Sequence, residues 1–113
     1  MAAGVLGNST ETGAGQSTGR NQGVTTSPEE YQVVFHLLAF TGTDITIKVQ
    51  ESQNDGGGDA YADISGLTSG ALTGIGVVRV SVTASTEAWK RLDFSGTFSS
   101  ATILVTGGTV AGT

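Results

Sequence analysis

The side chains able to do chemistry in this chain are few, and they are spread out. His36 is the single histidine and cysteine is absent. Any Ser-His-Asp or Cys-His arrangement would therefore have to centre on His36, which sits between Phe35 and Leu37 in an apolar run. A side chain on a sheet face explains that placement better than a catalytic imidazole. Asp55, Asp59 and Asp63 are spaced by four in the loop NDGGGDAYAD. Carboxylates among glycines suit the oxygen coordination of Ca²⁺, and Gly57-Gly58-Asp59 echoes a calcium-binding β-roll turn. The loop lacks the 12-residue EF-hand register and occurs once, so it reads first as a solvated hairpin loop, with the three aspartates a weak calcium candidate. Nothing near them would raise one carboxyl above another for glycosidase chemistry. Gly74-Ile75-Gly76 has neither the third glycine nor the following helix of a pyrophosphate cradle. No catalytic residue, cofactor or firm metal site is expected, and the chain does not read as an enzyme.

The aromatics offer one other kind of site. Tyr31, Phe35, Phe40, Tyr61, Trp89, Phe94 and Phe98 could form a sugar-stacking platform, which would make the chain a carbohydrate-binding β-sandwich with a surface glycan as partner. Each lies in or beside an expected strand, so a place in the core is the first expectation. Three exposed coplanar rings would favour the sugar; a buried Trp89 would count against it.

The elements that would position these groups are strands. From Ile45 the chain alternates, with Ile45, Ile47 and Val49 on a buried face and Thr46, Lys48 and Gln50 on a wet one. Thr41-Gly42-Thr43-Asp44 supplies a tight turn before it. Tyr31 to Phe40 reads as the preceding strand, although Ser27-Pro28-Glu29-Glu30 resembles a helix start and Tyr31, Val34, Phe35 and Leu38 would share a helical face. Tyr61 to Ile64 and Leu67 to Leu72 are short strands. Val77 to Thr83 sends Val78, Val80 and Val82 inward, Glu87 to Phe94 holds Trp89, and Phe98 to Thr106 sends Ala101, Ile103 and Val105 inward. Six or seven short strands without a helical stretch predict an all-β, antiparallel β-sandwich or jelly-roll-like domain over residues 31–106. Its core is expected to contain Ile45, Ile47, Val49, Val78, Val80, Val82, Trp89 and Ile103.

Residues 1–30 are Gly/Ser/Thr-rich and polar, an arm or linker that cannot bury enough surface to fold alone. Its large aliphatics Val5, Leu6 and Val24 would be its docking points on a neighbouring subunit. Residues 107–113 read as a loose tail. Charged residues make up 13% of the 113, with a net charge of −5, and 18 are glycine. Five scattered basic residues cannot supply the counterion release on which sequence-independent nucleic-acid binding depends. No apolar run is long enough to span a bilayer, and no basic-then-apolar leader is present, so neither a membrane span nor a Sec-type signal is expected. A neutral, hydroxyl-rich surface suits packing against neighbours.

The order of several segments also resembles a known family. His36 to Gln53, HLLAFTGTDITIKVQESQ, is followed by Tyr61-Ala62-Asp63-Ile64, Arg79-Val80-Ser81-Val82, Lys90-Arg91-Leu92 and Ser95-Gly96-Thr97-Phe98-Ser99-Ser100-Ala101-Thr102. This series resembles the C-terminal β module of tail-tube-type major tail proteins and related virion structural proteins of tailed bacteriophages. Glu11-Thr12-Gly13-x-Gly15 resembles the linker that leads into that module. The resemblance implies a non-enzymatic virion part, assembled in the host bacterial cytoplasm, whose partners are copies of itself and other virion structural proteins. In that family the module follows a tube-forming domain and projects from the tail surface. Here the tube domain is missing, so the chain would be a fragment of a longer tail protein or a free-standing relative. A free-standing one could equally be a capsid decoration or cement protein.

Overall fold

The computed structural model describes residues 4–22, 30–83 and 87–110. Among them run nine strands: β1 (Gly4–Glu11), β2 (Gly15–Gln16), β3 (Arg20–Asn21), β4 (Glu30–Gly42), β5 (Ile45–Ser52), β6 (Ala62–Leu72), β7 (Gly76–Thr83), β8 (Trp89–Ser95) and β9 (Phe98–Val110). They form two antiparallel sheets. One has the order β1-β9-β4-β7; the other has the order β2-β8-β5-β6, with β3 also pairing to β8. This is the expected all-β sandwich.

Period-2 alternation builds the interior. Tyr31, Val33, Phe35 and Leu37 of β4 face Ile45, Ile47 and Val49 of β5, with Leu92 and Phe94 of β8 and Ala101, Ile103 and Val105 of β9 in the same cluster. Burying so many aliphatic and aromatic side chains, each worth about 1.5–3 kcal/mol, is what holds the two layers together. Val78, Val80 and Val82 also point inward but are only partly buried.

The turn at Thr41-Gly42-Thr43-Asp44 is present, but the strands it joins do not pair with each other. β4 pairs with β7 and β9, whereas β5 pairs with β6 and β8, so the turn is an arch that carries the chain between sheets. Contacts to the β8–β9 turn hold the arch. Thr43 N–H donates to the Thr97 carbonyl at 2.8 Å, and Thr97 N–H donates to Asp44 Oδ1 at 3.0 Å. A Cβ at Gly42 would lie 2.4 Å from Phe98 Cα, so the close approach requires glycine.

Several expectations are corrected. The boundary at residue 31 is wrong, because β1 pairs with β9 from Gly4↔Gly107 to Glu11↔Ala101 and completes the first sheet. The sequence misleads here because a strand added along an existing edge is held by main-chain hydrogen bonds, which demand little apolar side chain. One leucine is enough: the register slips between Val5 and Gly7, and Leu6, the extra residue, turns into the core with no exposed area. β2 and β3 then cross to β8 and close the side of the second sheet. The boundary at 107 is also wrong, since β9 continues to Val110 with Gly107 and Gly108 buried. The two expected strands around Ile64 and Leu67 are one strand, β6, bent where Gly66 and Gly70 take positive φ. Trp89 is not core. Leu92 and Phe94 fix the parity of β8, so Lys90 points inward with them and Trp89, half-buried, points the other way. The helix-start residues Ser27-Pro28-Glu29 and the docking candidate Val24 lie outside the described residues.

Candidate functional site

His36 stands in β4 opposite Leu104 and Val77. Neither cross-strand partner is a carboxylate or hydroxyl that could orient an imidazole. Gly74-Ile75-Gly76 joins β6 to β7, two strands, and has no helix N-terminus to offer a phosphate.

The three aspartates of the calcium candidate are not brought together. Asp55 Oδ1 accepts from the Tyr61 hydroxyl at 2.7 Å. Asp59 Oδ2 accepts from Gln53 N–H at 2.8 Å. Asp63 lies on β6, where its oxygens take Gln50 Nε2 at 2.9 Å and Lys48 Nζ at 3.7 Å. Ser52 organises the loop: its hydroxyl donates to the Asp59 carbonyl at 2.6 Å and accepts from Asn54 N–H and Gly56 N–H. Each aspartate thus has a different partner: the Tyr61 hydroxyl for Asp55, the Gln53 amide for Asp59, and the Gln50 and Lys48 side chains of β5 for Asp63. Among the described residues no group of three or more His, Cys, Asp or Glu could hold a metal ion.

The aromatics do not make a platform. Tyr31, Phe35 and Phe94 are buried, and none of the others is exposed. Phe40 and Phe98 pack on each other with ring centroids 6.4 Å apart and planes tilted by 44°. One side of the Tyr61 ring is taken by the Arg91 guanidinium, 4.3 Å from the centroid, while Arg91 Nε donates to Gln50 Oε1 at 2.8 Å. Burial and the bond to Asp55 push the Tyr61 hydroxyl up to about 12.

A polar cluster that the sequence reading missed closes one end of the sandwich. Lys90 is fully buried with its Nζ 5.3 Å from the Tyr31 ring centroid, and it donates to the Glu87 carbonyl. Glu51 is its cross-strand partner and accepts Glu87 N–H at 2.8 Å. Burial lowers the Lys90 pKa, and the charges of Glu51 and Glu87 oppose that shift. Burial raises the Glu87 carboxyl, as do a hydrogen bond to its neighbour Asp59 and the negative charges of Asp59 and Glu51, while a hydrogen bond with Gln53 opposes the shift. Lys90, Glu51, Glu87 and Asp59 interact with one another across β5, β8 and the loops beside them, and the cluster reads as structural. The parity of Leu92 and Phe94 is the sequence signal that would have placed Lys90 inside.

A cleft of about 240 Å³ lies between β1 and β2–β3, lined among others by Asn8, Ser9, Glu11, Gln16 and Arg20. Within its lining Ser9 donates to Glu11 Oε2 at 2.6 Å.

The exposed large aliphatics tell a different story. Ile75 is 71% exposed, Val77 53% and Leu38 44%. His36 pairs with Val77 and Leu37 with Gly76, and Leu38 is turned outward at the register slip between Leu37 and Ala39. All three therefore gather at one end of the β4–β7 pair. β7 is the last strand of its sheet, eight residues long, and its register with β4 is unbroken. Arg79 is its only charge. Natural edge strands are usually blunted by bulges, prolines or lysines, and β7 has none of these.

Comparison with known proteins gives little. No protein-family model and no curated protein matches the chain. Among solved structures, the chain is similar to "Family 16 Carbohydrate Binding Module-2" at a TM-score of 0.40 and 16% identity, covering 89% of this chain and 72% of that one.

Proposed function

We propose that this chain is a non-enzymatic structural protein of a tailed-phage virion, acting as a tail module through repeated contacts between subunits. The observation that carries the reading is the edge β7, free among the described residues, long, unbroken and nearly uncharged, with Ile75, Val77 and Leu38 exposed beside it. An edge of this kind is a template for pairing with another chain. In a subunit present in many copies, such a template has a use. The ordered resemblance from His36 to Thr102 supports the same reading, and the low charge density suits close packing between like subunits. The histidine, the aspartate loop and the aromatics, taken in turn, offer no competing chemistry.

The test is the composition of the particle. Purified virions from the host that carries the gene should contain this chain in multiple copies by quantitative mass spectrometry. Its absence from particles, with the chain recovered free in the lysate, would end the proposal.

A further inference from the structure

We infer that β7 pairs with β7 of a second copy, antiparallel, about a two-fold axis through Val80 and perpendicular to the sheet. The four-stranded sheet would then continue as one eight-stranded sheet across two subunits. The inference rests on the reading of the chain as a subunit that packs against its own copies.

The first observation is an incomplete core. Tyr31, Val33 and Phe35 of β4 are fully buried, while the residues directly opposite them on β7, Val82, Val80 and Val78, are only partly buried. All six share the inner face. The difference is position, because among the described residues β4 has a strand on each side and β7 has a strand on one side only. An apolar strip thus runs to the edge of the sheet, where it is only partly covered.

The second observation is that the strip complements itself. A two-fold axis perpendicular to the sheet keeps inner faces aligned, and opposed residues must then share parity, so the axis passes through a residue position. Centred on Val80, Val78 lies opposite Val82 of the second copy, Val80 opposite Val80, and Arg79 opposite Ser81. The half-buried valines cover one another, and β-branched cross-strand pairs are the favourable ones. Centring on Arg79 would set two guanidinium groups directly opposite each other, which disfavours that register.

The other edges are less suited. β1 is kinked at Leu6, and Gln22 Nε2 covers its Val5 carbonyl at 3.2 Å. β6 slips register twice against β5, and β2 and β3 are two residues each. Of the sheet edges among the described residues, β7 alone is both long and free of register slips.

The chain has no cysteine, so a single introduced one reports its own neighbour. Opposed residues across an antiparallel pair have Cα atoms about 4.5–5.5 Å apart, within disulfide range. Purified full-length Val80→Cys should oxidise to a covalent dimer, and Asn8→Cys on the exposed side of β1 should not. Charge gives an independent readout at Ser81, which is exposed and can change without disturbing the fold. Ser81→Lys opposes Arg79 twice in the dimer and should weaken self-association by roughly 2- to 30-fold, while Ser81→Glu should strengthen it comparably, as measured by sedimentation equilibrium. The pairing is overturned if Val80→Cys stays monomeric, if Asn8→Cys cross-links in its place, or if the two Ser81 variants associate equally. Because these experiments use the purified chain, they can fail while the chain is still found in virions, and they can succeed when it is not.

Discussion

Leu6→Ala separates a folded strand from a loose arm. Leu6 has no exposed area and sits where β1 slips register against β9. Its side chain approaches Gly107 so closely that a Cβ there would lie 3.0 Å from Leu6 Cδ1. Truncation removes three carbons, about 2.4 kcal/mol of transfer free energy at roughly 0.8 kcal/mol per carbon, and leaves a cavity that adds to it. An edge strand can relax inward, so a loss of about 2–4 kcal/mol is expected, in the lower part of the range for buried leucines. An unfolding entropy of about 2.1 cal/mol/K per residue over 113 residues gives about 240 cal/mol/K, so each kcal/mol shifts the melting temperature by about 4 °C. The variant should therefore melt about 8–16 °C below wild type in calorimetry. Val5→Ala, next to it but 39% exposed, should move it far less. A Leu6→Ala protein that melts within about 1 °C of wild type would refute the place of β1 in the domain, since exposed substitutions stay within about 0.5 kcal/mol.

Ile47→Ala, at a fully buried position of β5, should cost about 2–5 kcal/mol by urea titration, and Asp55→Ala in the exposed loop almost nothing. Lys90→Met should leave stability level or raise it, because burying a cation costs several kcal/mol that its partners only offset, whereas Glu51→Ala should destabilise by leaving Lys90 without its carboxylate. Glu87 has a folded-state pKa raised above about 4.5, so its contribution to stability is full below that pH and is lost as pH rises through the folded value. Denaturation at a series of pH values should then show Glu87→Gln gaining on wild type as pH rises above 4.5; a constant difference would show that the Asp59 and Glu51 charges do not act on it.

The inner faces of β4, β5 and β9 were legible because each alternates without interruption, and the buried residues Ile45, Ile47, Val49 and Ile103 follow from that pattern alone. β1 was not legible, since its pairing is a main-chain matter and its composition is that of a linker. Trp89 was expected in the core because it lies in a strand; Leu92 and Phe94, three and five residues along and so of opposite parity, fix β8 with Trp89 facing the other way. The arch at Gly42 looked like a hairpin because a turn sequence states that the chain reverses and not which strands then pair. As for the candidate surface, the alternation of Val78, Val80 and Val82 was visible in the sequence, but only the strand order reveals that, among the described residues, β7 has no neighbour on one side.

The proposed role is tested most directly by locating the chain in the particle. Gold-labelled antibody against the folded domain, imaged by electron microscopy on intact tailed virions, should decorate the tail at regular intervals along its length. Virions without label, under conditions where the antibody binds the purified chain, would contradict the structural role, and label confined to the capsid shell would contradict the assignment to the tail.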